Sequence, residues 1–397
     1  MNICGIVCEY NPFHNGHLFH IKETRRHGAD AVVCIMSGNF VQRADFAIMQ
    51  KSARAKAAVL SGADLVIELP LPWSIASAER FAYGAISILN SLGIVSSLSF
   101  GAENDDISSL SEIAETLVSP NFEKELRKHY ETGVSYATAR ELALASISTE
   151  TSKLIASPNN ILAIEYIKAL KRLDSSISPV AITRNGAAHD SMDSCENIAS
   201  ATLIRELIYD TADFSSFVTQ ETLRIFNEEE ALGHAPVSIK TASIAILSRL
   251  KTMSVEDFRN ICDVSEGLEY RLVDAVSKST SLSEAIENAK TKRYAHSRIR
   301  RIFLNAFLGV PYDLQLSEPP YARILAFNDT GRIIIKNAKK TSRIPIITKT
   351  ASVKEESEKA IKLLALERNA DAIYSLFMKN PISQGSTFVS SPIYIKK

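Results

Sequence analysis

Through the first half of the chain, short apolar runs rich in Val and Ile alternate with longer stretches whose apolar positions recur every three or four residues. The runs predict strands over residues 3–8, 31–36, 65–69, 97–100 and 180–183. The stretches between them predict helices over residues 18–27, 51–61, 78–92, 107–117 and 161–173. Such alternation argues for a parallel sheet covered on both faces, which takes its ligands beyond the carboxyl ends of the strands. The later part reads differently. Residues 237–308 look largely helical, and residues 322–328 and 332–336, joined by Asp329-Thr330-Gly331, read as a hairpin. Two more helices are expected over 354–368 and 371–378. The expectation is an α/β chain, with a Rossmann-like doubly wound parallel sheet in residues 1–215 and a mostly helical domain in 216–397.

Composition changes this picture little. Lys plus Arg and Asp plus Glu each total 45, so the net charge is zero and any nucleic-acid contact needs a local patch. No apolar run approaches a membrane span, and the start lacks a basic region followed by an apolar signal core. The five cysteines form no Cys-x-x-Cys pair. Neither a disulfide framework nor a zinc site is expected, and a cytoplasmic location fits.

The candidate chemistry sits just past the first strand, at His14-Asn15-Gly16-His17. Two histidines flanking a glycine where a strand turns into a helix suit nucleotide phosphates, because the helix start offers N–H groups and a positive dipole end. The pattern resembles the HxGH signature of the nucleotidylyltransferase superfamily, which transfers AMP from ATP and releases pyrophosphate. Further on, Ile198-Ala199-Ser200-Ala201-Thr202-Leu203-Ile204-Arg205 resembles that superfamily's Ile-Ser-Ser-Thr-x-Ile-Arg phosphate loop, with Ala199 and Ala201 departing from it.

Other segments add polar groups to the same rim. Ser37-Gly38-Asn39 follows a strand and reads as a phosphate or substrate loop, with Gln42 and Arg43 close behind. Lys51 and Arg54, three residues apart, point either at phosphates or at solvent. Gly101 ends a strand, Asn159 and Asn160 open a helix, and Arg184 follows a strand end. In the second half, six of the twelve residues from Lys290 to Arg301 are Lys or Arg and none is acidic, which suggests contact with a phosphate backbone. The alternative is a solvated helix face.

Longer runs carry a narrower resemblance. Glu9-Tyr10-Asn11-Pro12-Phe13-His14-Asn15-Gly16-His17, Ser37-Gly38-Asn39-Phe40-Val41-Gln42-Arg43, Gly62-Ala63-Asp64-Leu65-Val66-Ile67-Glu68-Leu69-Pro70, Pro158-Asn159-Asn160-Ile161-Leu162 and Lys292-Arg293-Tyr294 look like the bacterial tRNA(Met) cytidine acetate ligases. Ala44 stands where that family usually has glycine. The resemblance implies that ATP and acetate form acetyl-adenylate and pyrophosphate. The amine of the wobble cytidine of elongator tRNA(Met) then takes the acetyl group, giving N4-acetylcytidine. It implies catalytic roles for His14 and His17. For ATP it implies Ile6, Val7, Cys8, Glu9, Tyr10, Asn11, Pro12, Phe13, His14, Asn15, Gly16, His17, His20, Gly101, Asn159, Asn160, Arg184, Ser200, Thr202 and Arg205. For tRNA it implies Lys290, Lys292, Arg293, Tyr294, Arg298, Arg300 and Arg301. Mg²⁺ is expected to accompany ATP without a dedicated protein cage. A small-molecule adenylyltransferase and a non-catalytic RNA-binding protein are the rival readings. Nothing in the sequence fixes the oligomeric state.

Overall fold

The structure, a computed structural model, describes residues 1–103, 106–147, 158–183, 197–265, 267–349, 357–383 and 391–396. One sheet organises it. Its strands are β1 (Ile3–Cys8), β2 (Ala31–Ser37), β5 (Leu65–Leu69), β6 (Ser97–Ala102), β7 (Ser178–Thr183), β8 (Ala322–Asn328) and β10 (Ile393–Ile395), in the order β10-β8-β5-β2-β1-β6-β7, with β9 (Ile346–Ile347) paired to β8. A short antiparallel pair, β3 (Phe40–Val41) and β4 (Asp45–Phe46), stands apart.

The central strands form because they are buried on both faces. Along β2, Val33 and Ile35 enter one apolar cluster while Val32, Cys34 and Met36 enter the other. All five expected strands are present within a few residues of their expected limits. β1 pairs in parallel with β2 and with β6. The chain lays β2 and β5 to one side of β1, then crosses back and lays β6 and β7 on the other. That reversal, between β1 and β6, is the switch point at which open α/β sheets bind ligands.

The fold is α/β, and the sheet is mixed rather than wholly parallel, because β8 runs antiparallel to β5. It also draws β8, β9 and β10 from beyond residue 216. Residues 239–308 fold into successive helices, from Ile239–Lys251 to His296–Leu308.

The expected hairpin over 322–336 is not one. Its first strand is β8, but Asp329–Thr341 is a helix, capped by the Asn328 side chain, which accepts from the Gly331 N–H at 2.9 Å. Asn328 is a helix N-cap that the sequence reading took for the edge of a turn. Gly331 serves close approach: a Cβ there would lie 2.1 Å from the Asp64 carbonyl oxygen. The two helices expected over 354–378 are a single one, Glu358–Ser375.

Candidate active site

A cleft opens at the switch point. The carboxyl ends of β1, β6 and β7 form its floor, and two helix N-termini form its wall: His14, Gly16 and His17 at the start of Asn15–Arg26, and Ser200, Ala201 and Thr202 at the start of Ala201–Tyr209. The Asn15 side chain donates to the carbonyls of Asn197 and Ser216, each at 2.9 Å, and so ties the two helix starts together. Two positive dipole ends then face one space, an arrangement that favours a polyanion.

The helix begins at Asn15, three residues earlier than apolar spacing suggests, because His14 caps it. His14 Nδ1 accepts the Gly16 N–H at 3.1 Å, and His17 Nδ1 accepts the His14 N–H at 3.2 Å. A ring nitrogen that accepts carries no proton, so this hydrogen-bond network assigns the proton of each ring to Nε2. The rings are stacked, with centroids 3.6 Å apart and planes 28° from parallel. Tyr10 meets His17 edge-on at 4.8 Å. Gly16 is required by the His14 ring, since a Cβ there would lie 2.9 Å from its Cε1.

Glu9 lies just past β1. Its Oε1 accepts the Gln42 N–H at 2.7 Å, and burial pushes its carboxyl above the usual range against the pull of Arg205, Arg43 and Arg54. Ser200 Oγ caps its helix by accepting from the Leu203 N–H. Arg205 donates to the Asn11 carbonyl at 2.9 Å and approaches Thr202 Oγ1 at 3.3 Å. His20 Nε2 meets Ser99 Oγ at 2.9 Å. At the far end the walls are apolar, formed by Phe81, Phe100, Leu162, Tyr166 and Ile182 around Gly101. Asn160 is buried and accepts the Glu103 N–H at 3.1 Å, which holds the loop after β6. The side chain of Asn159 and all of Arg184 lie outside the described residues.

Three polar segments do other work. Ser37 and Asn39 are buried, and Asn39 Nδ2 donates to Asp371 at 2.8 Å, so Ser37-Gly38-Asn39 does not line the cleft. Lys51 is buried between Glu68 (2.6 Å) and Asp371 (2.7 Å), with Arg323 on the other Glu68 oxygen at 3.2 Å. Arg54 is fully buried and donates to the carbonyls of Met49, Ser37, Gly38 and Glu9, which fastens the ends of β1 and β2 to one guanidinium. Neither cation lines the cleft.

The basic run is more engaged than its composition suggests. Arg298 donates to the Asp263 carbonyl and to Ser265, Arg301 approaches Asp263 at 3.7 Å, and Arg300 reaches the Ala44 carbonyl and Asp45. Tyr294 is buried, with Arg298 over its ring, and Arg293 lies over the Tyr130 ring. Lys290 and Lys292 are exposed. Ala44 has φ +56°, in the left-handed region, which explains why glycine suits that position.

The profile of the HIGH nucleotidyl transferase family matches residues 1–387. The chain belongs to that family. A tRNA(Met) cytidine acetate ligase of Acetivibrio thermocellus is 40% identical over 96% of both chains, and one of Alkaliphilus metalliredigens is 39% identical over the whole of both. Among solved structures, Thermotoga maritima TmcAL in its apo form superposes with a TM-score of 0.95 and 29% identity over 100% of both chains. The same protein bound with alpha-thio ATP gives 0.93. The HIGH nucleotidyl transferase fold, with its paired histidines at a helix start, is thus the frame on which this chain's cleft is built. The lining residues that the sequence did not single out include Phe19, Phe81, Phe100, Tyr166 and Ile182. Nothing in their pattern separates them from core residues.

Proposed function

We propose that this chain is an ATP-dependent tRNA-modifying ligase: it activates acetate as acetyl-adenylate and passes the acetyl group to N4 of the wobble cytidine of elongator tRNA(Met) in the cytoplasm. The observation that carries the reading is the stacked His14–His17 pair at two converging helix N-termini. Relatives that share this frame over nearly their whole length carry the ligase name.

The adenine lies against the apolar end near Gly101, Leu162 and Tyr166, and the phosphates lie at the helix starts. The Nε2–H groups of His14 and His17 donate to charge that develops on the α-phosphate and on the departing pyrophosphate. Ser200, Thr202 and Arg205 meet the outer phosphates. Acetate, a poor acyl donor alone, becomes one end of a mixed anhydride with AMP. The cleft must shield that anhydride from water until the base arrives.

Among the described residues no group of three His, Cys, Asp or Glu stands close enough to hold a metal. Mg²⁺ enters this reading as a companion of the ATP phosphates. The exposed Lys290 and Lys292 are the first contacts assigned to tRNA, and Arg298, Arg300 and Arg301 anchor the helix His296–Leu308 that follows them.

The test is exchange of labelled pyrophosphate into ATP with acetate among several carboxylates. Acetate-dependent exchange is expected. Absence of exchange with any acid, with tRNA present, would overturn the reading in favour of a small-molecule transferase or a binding protein.

A further inference from the structure

The cleft contains one group, Glu9, that suits none of the ATP phosphates. Glu9 lines it beside His14, Gln42 and Arg43, and a carboxylate beside a triphosphate is repelled by it. Its position is nevertheless fixed. Gln42 N–H holds Oε1 at 2.7 Å, and Arg54 holds the Glu9 main-chain carbonyl. This is the only hydrogen bond to the Glu9 carboxylate among the described residues, so Oε2 is left for a donor from the cleft. The Gln42 side chain is half-buried and lines the same corner, and among the described residues it has no hydrogen-bond partner. The corner therefore offers one acceptor and one amide, joined through a shared backbone contact.

Cytosine presents the matching edge: N4 carries two hydrogens, while N3 and O2 accept. Resting on the acetyl-transfer reading above, we propose that Glu9 and Gln42 read the Watson–Crick edge of the acceptor cytosine and that Glu9 takes the proton from its attacking N4. Oε2 accepts one N4–H, and the Gln42 amide donates to N3. The N4 lone pair attacks the acetyl carbon of acetyl-adenylate and forms the C–N bond. The bond from that carbon to the phosphate oxygen breaks, and AMP leaves with the electron pair. The displaced N4 proton passes to Glu9 Oε2 and then to solvent.

Burial suits Glu9 to this task, because a carboxylate held above its usual range is a better proton acceptor near neutral pH. The charged neighbours facing it are Arg43, Arg54 and Arg205, which keep the deprotonated form accessible. The same corner discriminates against uracil through Glu9, whose Oε2 would face O4, an acceptor, instead of the N4–H; the Gln42 amide can turn its oxygen toward the uracil N3–H and so adds no selectivity.

The experiment measures two rates on wild type and on Glu9→Gln: acetate-dependent pyrophosphate exchange, and acetyl transfer to a tRNA(Met) transcript, each from about pH 5.5 to 9. General-base loss of about 10²-fold or more is expected in transfer relative to exchange. The rise of wild-type transfer with pH, through an ionisation above the ordinary carboxylate range, is lost in the variant. Gln42→Ala is expected to raise the KM for the C34 transcript in the transfer step. Equal loss of both rates, or an unchanged pH profile of transfer, would overturn the proposal. If Glu9→Gln fails to fold, Glu9→Asp with the same ratio and pH profile decides it: a fall in transfer alone supports the role, and an equal fall in both rates overturns it. If wild type exchanges pyrophosphate but transfers nothing to tRNA, the reading beneath the proposal fails instead.

Discussion

The imidazole of His14 stacks on that of His17 at 3.6 Å, and each ring accepts a backbone N–H from the first turn of the same helix. Capping uses Nδ1 of both rings, and the catalytic role proposed above falls to Nε2. His14→Ala or His17→Ala should slow acetate-dependent pyrophosphate exchange by about 10²–10³-fold. Loss of the His14 cap should cost only about 1 kcal/mol of stability. A melting curve beside the exchange rate checks both.

Gly16→Ala separates shape from chemistry. Alanine favours a helix, but its Cβ would press on the His14 ring at 2.9 Å. Exchange should fall by about tenfold or more while thermal stability stays close to wild type. Unchanged exchange would mean that the His14 ring position is unimportant.

Arg54→Ala removes the donor shared by four buried carbonyls. Unsatisfied buried acceptors cost about 1–3 kcal/mol each, and partial relaxation brings the expected total to roughly 3–5 kcal/mol. Denaturant unfolding measures it. A loss below about 1 kcal/mol would show that water replaces the guanidinium.

Glu367 supplies a pH test far from the chemistry. Its carboxylate accepts from Tyr321 and from the Leu71 N–H, and burial with the nearby Glu68 charge pushes its pKa from 4.5 to about 7. Between those values the folded chain holds a proton that the unfolded chain has lost. Stability from this group therefore falls as pH rises from about 4.5 to about 7, by up to roughly 3 kcal/mol. Glu367→Gln removes that slope, so the variant should gain on wild type between pH 5 and pH 8 in denaturant melts. A constant difference across that range would contradict it.

Much of the sheet and the core of the site could be read from the sequence, because both are local. β1, the HxGH turn and the following helix lie within residues 3–26, and β1, β2 and β5 are largely apolar runs. What could not be read depends on distant partners. Lys51 and Asn39 looked like ligand groups because Asp371, which holds both, lies on a helix more than three hundred residues away. Arg298 and Arg301 looked free because Asp263 lies in a turn between two earlier helices, Val255–Arg259 and Leu268–Lys278. The apolar wall of Phe81, Phe100 and Ile182 has the same periodicity as core, so only the fold distinguishes it.

The central claim is that one cleft joins acetate activation to acylation of a tRNA base. The most direct measurement incubates the protein with ATP, labelled acetate and an elongator tRNA(Met) transcript, then digests the tRNA to nucleosides. The account predicts label in N4-acetylcytidine at the wobble position, dependent on ATP and lost in His14→Ala. Label absent from cytidine, or present without ATP, would contradict it.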